Sequence, residues 1–285
     1  MHPFPVPAHL HDREFDAWWL NTPARWRELD ASGVLDCSLR SAMRLRREIE
    51  TQATFNHDVR IQMPPWQCDA LALAFRRDLP TGVRLTPSLK GRSTTVARSA
   101  IEGRWVGSAE SAEVLCTELA AMLHGRSHPR PRSGKSVGSV RPGHQVVGAM
   151  GAALDNALTH SGTGRALVAA RCHPGRFVEF VVIDLGRGIP DHMRERGRVH
   201  PSAGDGVAVV QALGSTTDVV PRNIATSGGS LAIILSLLQQ GGAPANLSVE
   251  SGHVRVQVLV RNGRAELDMV LFSRAARGCT VWVRM

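Results

Sequence analysis

The apolar positions change period several times along the chain, and each change marks an element. LDASGVLDCSLRSAMRLRREIETQA (29–53) passes from a short apolar stretch into helical spacing, with Leu39, Met43, Leu45 and Ile49 returning on one side. VRIQMPP then reads as a strand ended by its two prolines, and WQCDALALAFRRDL as another helix. SAESAEVLCTELAAMLHG (108–125) predicts an amphipathic helix with Val114, Leu115, Leu119, Met122 and Leu123 on its apolar face and Gly125 as its stop. From His144 the pattern predicts a helix, HQVVGAMGAALDNALTHSG, and two strands, GRALVAARC and RFVEFVVIDL, joined by the turn His173-Pro174-Gly175. The short helix GVAVVQALG and the glycine-bounded helix SGGSLAIILSLLQQGG follow. The alternating HVRVQVLVRNGRAELDMVLF then turns back at Asn262-Gly263, and CTVWVRM supplies a last strand.

These elements divide the chain into three parts. Residues 1–107 form a small α/β unit in β–α–β–α order. Residues 108–143 are a helix followed by GRSHPRPRSGKSVGSVRPG, which carries five basic residues, three prolines and no acid and reads as a solvated linker. Residues 144–285 place helices over one face of a mixed, mostly antiparallel sheet. The expected fold class is therefore α/β in two domains, the C-terminal one a two-layer α/β sandwich.

Composition excludes some functions. At 285 residues and 43% hydrophobic content the chain can bury a real core, and no stretch approaches the roughly 20 apolar residues of a membrane helix. The start, MHPFPVPAHLHDREFDAWW, lacks the basic and apolar regions of a secretory signal, so a cytoplasmic location and no membrane partner are expected. The five cysteines, Cys37, Cys68, Cys116, Cys172 and Cys279, are scattered and form no C-x-x-C pair, which argues against a disulfide framework or a zinc knuckle. A net charge of +9 raises the question of nucleic acid. Of the 34 basic residues, however, only Lys90 and Lys135 are lysines and 32 are arginines, a bias that codon usage produces as readily as a binding surface does. Nucleic acid is not the expected partner.

Three stretches carry candidate chemistry. In the helix LDNALTHSG, Val147, Met150, Leu154, Ala157 and Leu158 fall in one stripe, while Ala152, Asn156 and His160 share a strip well away from it. VVIDLGRGIP ends an apolar strand with Asp184, whose carboxylate can accept a hydrogen bond from an exocyclic amine, and continues with Gly186 and Gly188, which let backbone lie against a planar ring. In SGGSLAIILSLL, Gly228 and Gly229 stand at the mouth of a helix, where free N–H groups and the positive end of the dipole favour an anion. The long segment between Pro190 and Gly228, with few strong elements besides GVAVVQALG and containing Ser215-Thr216-Thr217, reads as a mobile lid.

Taken in order, these stretches resemble the N, G1 and G2 boxes of the histidine-kinase-like (GHKL, Bergerat-fold) ATPases, and the final strand from Gly278 to Val283 is similar to that family's last motif. The resemblance covers about residues 144–285. It implies a Bergerat fold binding ATP and Mg²⁺: Asn156 would hold the metal, Asp184 would bind the adenine amine, Gly186 and Gly188 would shape the adenine pocket, and Gly228 and Gly229 would cradle phosphate. His160 sits where the family often has a histidine, as support for the pocket. In the N-terminal part, DASGV followed by DCSL resembles an anti-sigma-factor antagonist (STAS) domain over some 60 residues, and Ser38 would match its regulatory serine. The alternative for Ser38 is a helix N-cap.

The chain departs from the GHKL pattern where turnover depends on it. Hydrolysing members carry a glutamate four residues before the asparagine; here that position is Ala152, and losing a positioned base costs about 10²- to 10⁴-fold. Asp155 is the remaining candidate base, aimed about 100° aside of Asn156. Ser230 follows Gly229 where a further glycine is usual, and Cys279 stands where the family's last strand often has its adenine-contacting threonine, although Thr280 follows directly. Two functions fit: a stand-alone kinase acting on a protein partner, or a non-catalytic module in which ATP·Mg²⁺ orders a surface that engages a partner. A third, nucleic-acid binding through the basic 125–143 stretch, would show a steep loss of affinity with salt.

Overall fold

The computed structural model describes residues 3–56, 58–64, 68–87, 99–124, 142–173, 176–214 and 229–285. The chain divides into two units, Met1–Trp105 with Leu167–Ala170, and Val106–Ala166 with Arg171–Met285. Most of the basic stretch after the helix at 108–125, the stretch around Ser215-Thr216-Thr217, and Gly125, Pro174, Gly175 and Gly228 lie outside the described residues. As expected, the architecture is mixed α/β, with parallel pairing in the N-terminal half and an antiparallel five-stranded sheet with helices in the C-terminal half.

The first unit contains β1 (Phe4–Pro5), β2 (His9–Leu10), α1 (Asp12–Asn21), β3 (Glu28–Asp30), β4 (Asp36–Cys37), α2 (Leu39–Phe55), β5 (Val59–Gln62), α3 (Asp69–Phe75), β6 (Val83–Thr86) and β7 (Ala100–Val106). Four strands pair in parallel in the order β1-β3-β5-β6, and β2 pairs with β4, also in parallel. Parallel neighbours need crossovers, and α1, α2 and α3 supply them. Helix α1 lies outside the elements that the apolar pattern predicts, although Phe15, Trp18 and Trp19 at i, i+3 and i+4 are buried as a helical stripe should be.

Helix α2 forms the middle of this unit. Leu39, Met43, Leu45 and Ile49 are buried as their spacing predicts, and so are Arg44, Arg46 and Arg47 at 0% exposure. Buried guanidinium groups need partners, and neighbouring segments provide them. Arg44 Nη2 lies 2.8 Å from Asp16 Oδ1, and its guanidinium sits 4.1 Å above the Phe15 ring. Arg46 pairs with Glu50 at 2.6 Å and donates to the carbonyls of Ala74, at 2.9 Å, and Arg77, at 3.0 Å, and to that of Asp78. It thereby covers carbonyls that the end of α3 leaves without helical partners. Burial pulls the Arg46 pKa down, with Glu50 opposing. Part of the arginine surplus thus lies inside the fold. Ser38 is the N-cap of α2, its Oγ accepting from Ser41 N at 3.0 Å.

The second unit contains α4 (Ala109–His124), α5 (Pro142–His160), β9 (Phe177–Asp184), α6 (Ile189–Glu195), α7 (Asp205–Ala212), α8 (Ser230–Gln240), β10 (Ala245–Arg261) and β11 (Arg264–Arg284), while β8 (Ala166–His173) has its middle residues, Leu167–Ala170, in the first. Within this unit β10 pairs antiparallel with β11, and β11 antiparallel with β9. Asn262 and Gly263 both adopt positive φ, 50° and 72°, as the turn between β10 and β11 requires. The two C-terminal strands expected after that turn are one, because β11 continues through Phe272–Arg277 with irregular pairing near Gly252. Helix α6 was not expected; it is short and starts at Ile189-Pro190, where the apolar period is too brief to read.

Helix α5 packs against α4 and α8 through small residues: a Cβ on Gly148 would meet Leu237 at 3.0 Å, and one on Gly151 would meet Cys116 Sγ at 3.6 Å. With a helix on each side, its buried set (Val146, Ala149, Met150, Ala153, Leu154, Ala157) is broader than the expected stripe, and Val147 and Leu158 are half-buried. In α4, Leu115 and Leu119 are buried, but Val114, expected on the same face, is 52% exposed, being one helical step off the buried line.

Candidate functional site

Helix α5 places Asn156 and His160 one turn apart, and both line a cavity of about 640 Å³ whose wall comes wholly from the second unit. Asp184 reaches the same cavity from the end of β9, and Gly188 and Ile189 from the start of α6. Gly229, Ser230 and Leu231 reach it from the start of α8. Three stretches far apart in the sequence therefore meet in one hollow of a size that suits a small-molecule ligand.

Asp184 is 3% exposed, and its Oδ1 accepts from Gly186 N at 2.8 Å, which fixes the carboxylate at the strand end. Gly186 does not line the cavity. A Cβ there would lie 1.9 Å from the Ser161 carbonyl oxygen, so the glycine lets the turn after β9 close against the end of α5, and Arg187 N donates to that carbonyl at 3.2 Å. A close approach also holds Gly278, whose added Cβ would lie 2.1 Å from Asp184 O at a φ of +72°. Cys279 sits opposite Asp184 in the β9–β11 register and lines the cavity. Thr280, paired with Ile183, is buried and, by strand alternation, faces the other side of the sheet.

At the start of α8, Gly229 is the N-cap and contributes no side-chain cap. The first-turn amides of a helix have no intrahelical acceptor, so this end presents donors and the positive end of the dipole. Space around Gly229 is open, with nothing within 4 Å of an added Cβ. Ser230 Oγ donates to Asp155 Oδ2 at 2.6 Å, a bond that ties α5 to the start of α8. Asp155, the candidate base, is thus an acceptor for Ser230 and does not line the cavity; nor does Ala152.

His192, on α6, is a wall residue that none of the three motifs contains. Its ring centroid lies 4.9 Å from that of His160. Burial pushes the His192 pKa down, and His160, Arg196 and Arg187 push it the same way against Glu195. Only the helical character of IPDHMRE could have signalled it. Arg198 and Gln211 complete the polar part of the wall.

The donor set suits a nucleotide: a buried carboxylate for an amine, helix amides for phosphate, and a carboxamide on the same wall. It also suits Mg²⁺ brought in by phosphates, since that ion uses one or two protein ligands and keeps waters. Among the described residues no group of three His, Cys, Asp or Glu side chains could hold a metal alone. No helix of the described residues is long and apolar enough to cross a membrane.

No family model and no curated protein matches the chain. Among solved structures it is similar to the topoisomerase IV ATP-binding domain of Francisella tularensis in complex with a small-molecule inhibitor. The identity is 10% and the TM-score 0.28, over 50% of this chain and 35% of that one. A likeness that loose says nothing of the site, whose reading rests on its own geometry.

Proposed function

We propose that the second unit, residues 144–285 with the helix before it, is a histidine-kinase-like domain that binds ATP with Mg²⁺ and acts on a protein partner. One observation carries this reading: Asn156, Asp184 and the N-terminus of α8, expected from three separate motifs, line one cavity within one unit. In it Asp184 accepts from the adenine amine, the α8 amides at Gly229 and Ser230 face phosphate oxygens, and the Asn156 carboxamide oxygen holds the metal. Bound Mg²⁺ would neutralise phosphate charge and hold the phosphates in place. Gly186 and Gly188 shape the adenine end, the first by letting the turn close on Ser161 and the second as part of the wall. Gly228 belongs to the same phosphate cradle by its motif.

A nucleotide-gated switch is favoured over a kinase by two observations. Ala152 offers no base one turn before Asn156, and the adjacent carboxylate in sequence, Asp155, is engaged with Ser230. In the switch, binding shifts the surface around the cavity toward a partner-competent state without turnover.

Equilibrium binding of ATP with Mg²⁺ to the full chain tests the reading, with turnover followed in parallel for wild type and Ala152→Glu. Binding by the wild type without turnover, and hydrolysis gained by Ala152→Glu, is the outcome expected of the switch. Turnover by the wild type would move the assignment to the kinase, and absence of nucleotide binding would overturn both.

A further inference from the structure

We propose that His160 and His192 together bind one first-row transition-metal ion of the Zn²⁺, Ni²⁺ or Cu²⁺ class, at a site distinct from the Mg²⁺ position assigned to Asn156. The two rings line the same cavity, and their centroids stand 4.9 Å apart with 42° between the ring planes. With metal–nitrogen bonds of about 2.1 Å, two imidazoles in neighbouring positions on one ion hold their centroids about 5 Å apart. Bare ring packing gives similar spacings, so the state of the ring nitrogens separates the two explanations.

A metal takes the lone pair of a neutral imidazole, and a ring already bonded to protein has one fewer nitrogen to offer. Three other histidines are engaged in that way: His11 with Asp36 at 3.1 Å, His200 with the Ser202 hydroxyl at 2.7 Å, and His253 with the Phe272 carbonyl at 3.1 Å. Among the described residues no hydrogen-bond partner meets a ring nitrogen of His160 or of His192. Two side chains from separate segments thus bring uncommitted nitrogens to one cavity wall.

Backbone contacts set the spacing of the pair. His160 is the last residue of α5, and the carbonyl of Ser161, which follows it, accepts from Arg187 N at 3.2 Å, so the turn after β9 is closed onto that helix end. Helix α6 is pinned at its first residue, where Ile189 N donates to the Ser251 hydroxyl at 2.9 Å, and that hydroxyl donates to the Gly278 carbonyl at 2.8 Å. Ligands carried on anchored elements are held ready for an ion. Among the described residues no third His, Cys, Asp or Glu completes the set, so water or an anionic ligand in the cavity fills the other positions, as at an open metal site. Imidazole favours these ions over Mg²⁺, which takes oxygen ligands.

The test titrates the metal-free full chain with Zn²⁺ at neutral pH and follows the histidine ring signals by NMR. No nucleotide is present, so failure here is distinct from failure of the ATP reading. The signals of His160 and His192 should move together along one saturation curve, and Mg²⁺ at the same concentrations should leave both in place. His160→Ala and His192→Ala should each weaken the Zn²⁺ affinity seen at the remaining ring at least about 10-fold, since each removes one of two protein ligands. Rings that stay still, that move on separate curves or that respond equally to Mg²⁺ would overturn the proposal, as would a variant whose remaining ring binds Zn²⁺ as tightly as the wild type. The wild-type titration decides even where a variant does not fold.

Discussion

Helices α2 and α5 both keep polar side chains away from bulk water, and the difference between them separates fastening from function. In α2 the guanidinium of Arg46 ends on Glu50 and on three backbone carbonyls around the end of α3, and that of Arg44 on Asp16 and the face of Phe15. Their bonding capacity is directed at the protein itself. In α5, Asn156 and His160 border a hollow shared with Asp184 and the start of α8. A buried polar group matched within its own unit holds a fold together, whereas polar groups from distant segments that converge on a cavity are arranged for something from outside.

The sharpest way to break the comparison is at Arg46. Arg46→Met should destabilise the first unit by about 3–5 kcal/mol, because it removes Glu50's ion-pair partner in a buried site and uncovers carbonyls at the end of α3. Urea unfolding followed through the fluorescence of Trp18, Trp19 and Trp26 measures it. Adding Glu50→Leu should recover a large part of the loss, since an apolar pair avoids the stranded charge. If the double variant is no more stable than the single one, the bond to the α3 carbonyls outweighs the ion pair.

At Asp184 the effect should appear in binding. Asp184→Asn keeps the shape and the bond to Gly186 but replaces a charged acceptor, so ATP affinity should fall about 10- to 100-fold, with little change in unfolding of the second unit. Titration calorimetry and thermal unfolding on the same samples separate the two. Equal affinity for wild type and variant would remove Asp184 from the nucleotide site.

A smaller effect is expected at the Asp155–Ser230 bond, which belongs to α5 yet resembles the fastenings of α2. Asp155→Ala and Ser230→Ala should each cost about 1 kcal/mol of stability, and their double-mutant cycle should show coupling of similar size. Nucleotide affinity is the discriminating readout. A weakening shared by both variants means that the bond positions the start of α8, and indifference means that it fastens only.

The sequence made the second unit more legible than the first, for a physical reason. Strands such as VRVQVLV and FVVID and helices such as SLAIILSLL keep one period long enough to be read, and the three motifs sit at their ends. In the first unit the strands before β7 are two to four residues long, and of these only β5 is read as a strand, through its VRIQ ended by prolines; α1, β1, β2, β6 and β7 have no counterpart in the predicted elements. The buried arginines were equally hidden, because a charged residue within a helix reads as solvated until its partners in other segments are known. The same limit hid His192, whose place beside His160 only tertiary structure creates. Gly186 was visible as a requirement, but its cause lies in the Ser161 carbonyl, where a planar ligand had been expected.

The finest test of the cavity is its histidine pair. His192 is neutralised in the fold chiefly by burial, then by His160, Arg196 and Arg187, so its folded pKa lies below the 6.5 of the unfolded chain. Between those two values the unfolded state binds more protons, and stability rises with pH. The stabilisation associated with neutral His192 is therefore complete above pH 6.5 and is lost progressively as pH falls through that value toward the folded pKa. His192→Gln, which cannot titrate, should flatten the stability profile of the second unit below pH 6.5 while leaving the plateau above it nearly unchanged. A bound polyanion should raise the His192 pKa and shrink the same slope in the wild type, because the positive imidazolium then gains a partner. Following the His192 ring by NMR with and without ATP reads this directly. An unchanged titration on saturation would place the phosphates away from the His160–His192 pair, leaving the end of the cavity at α8 to hold them.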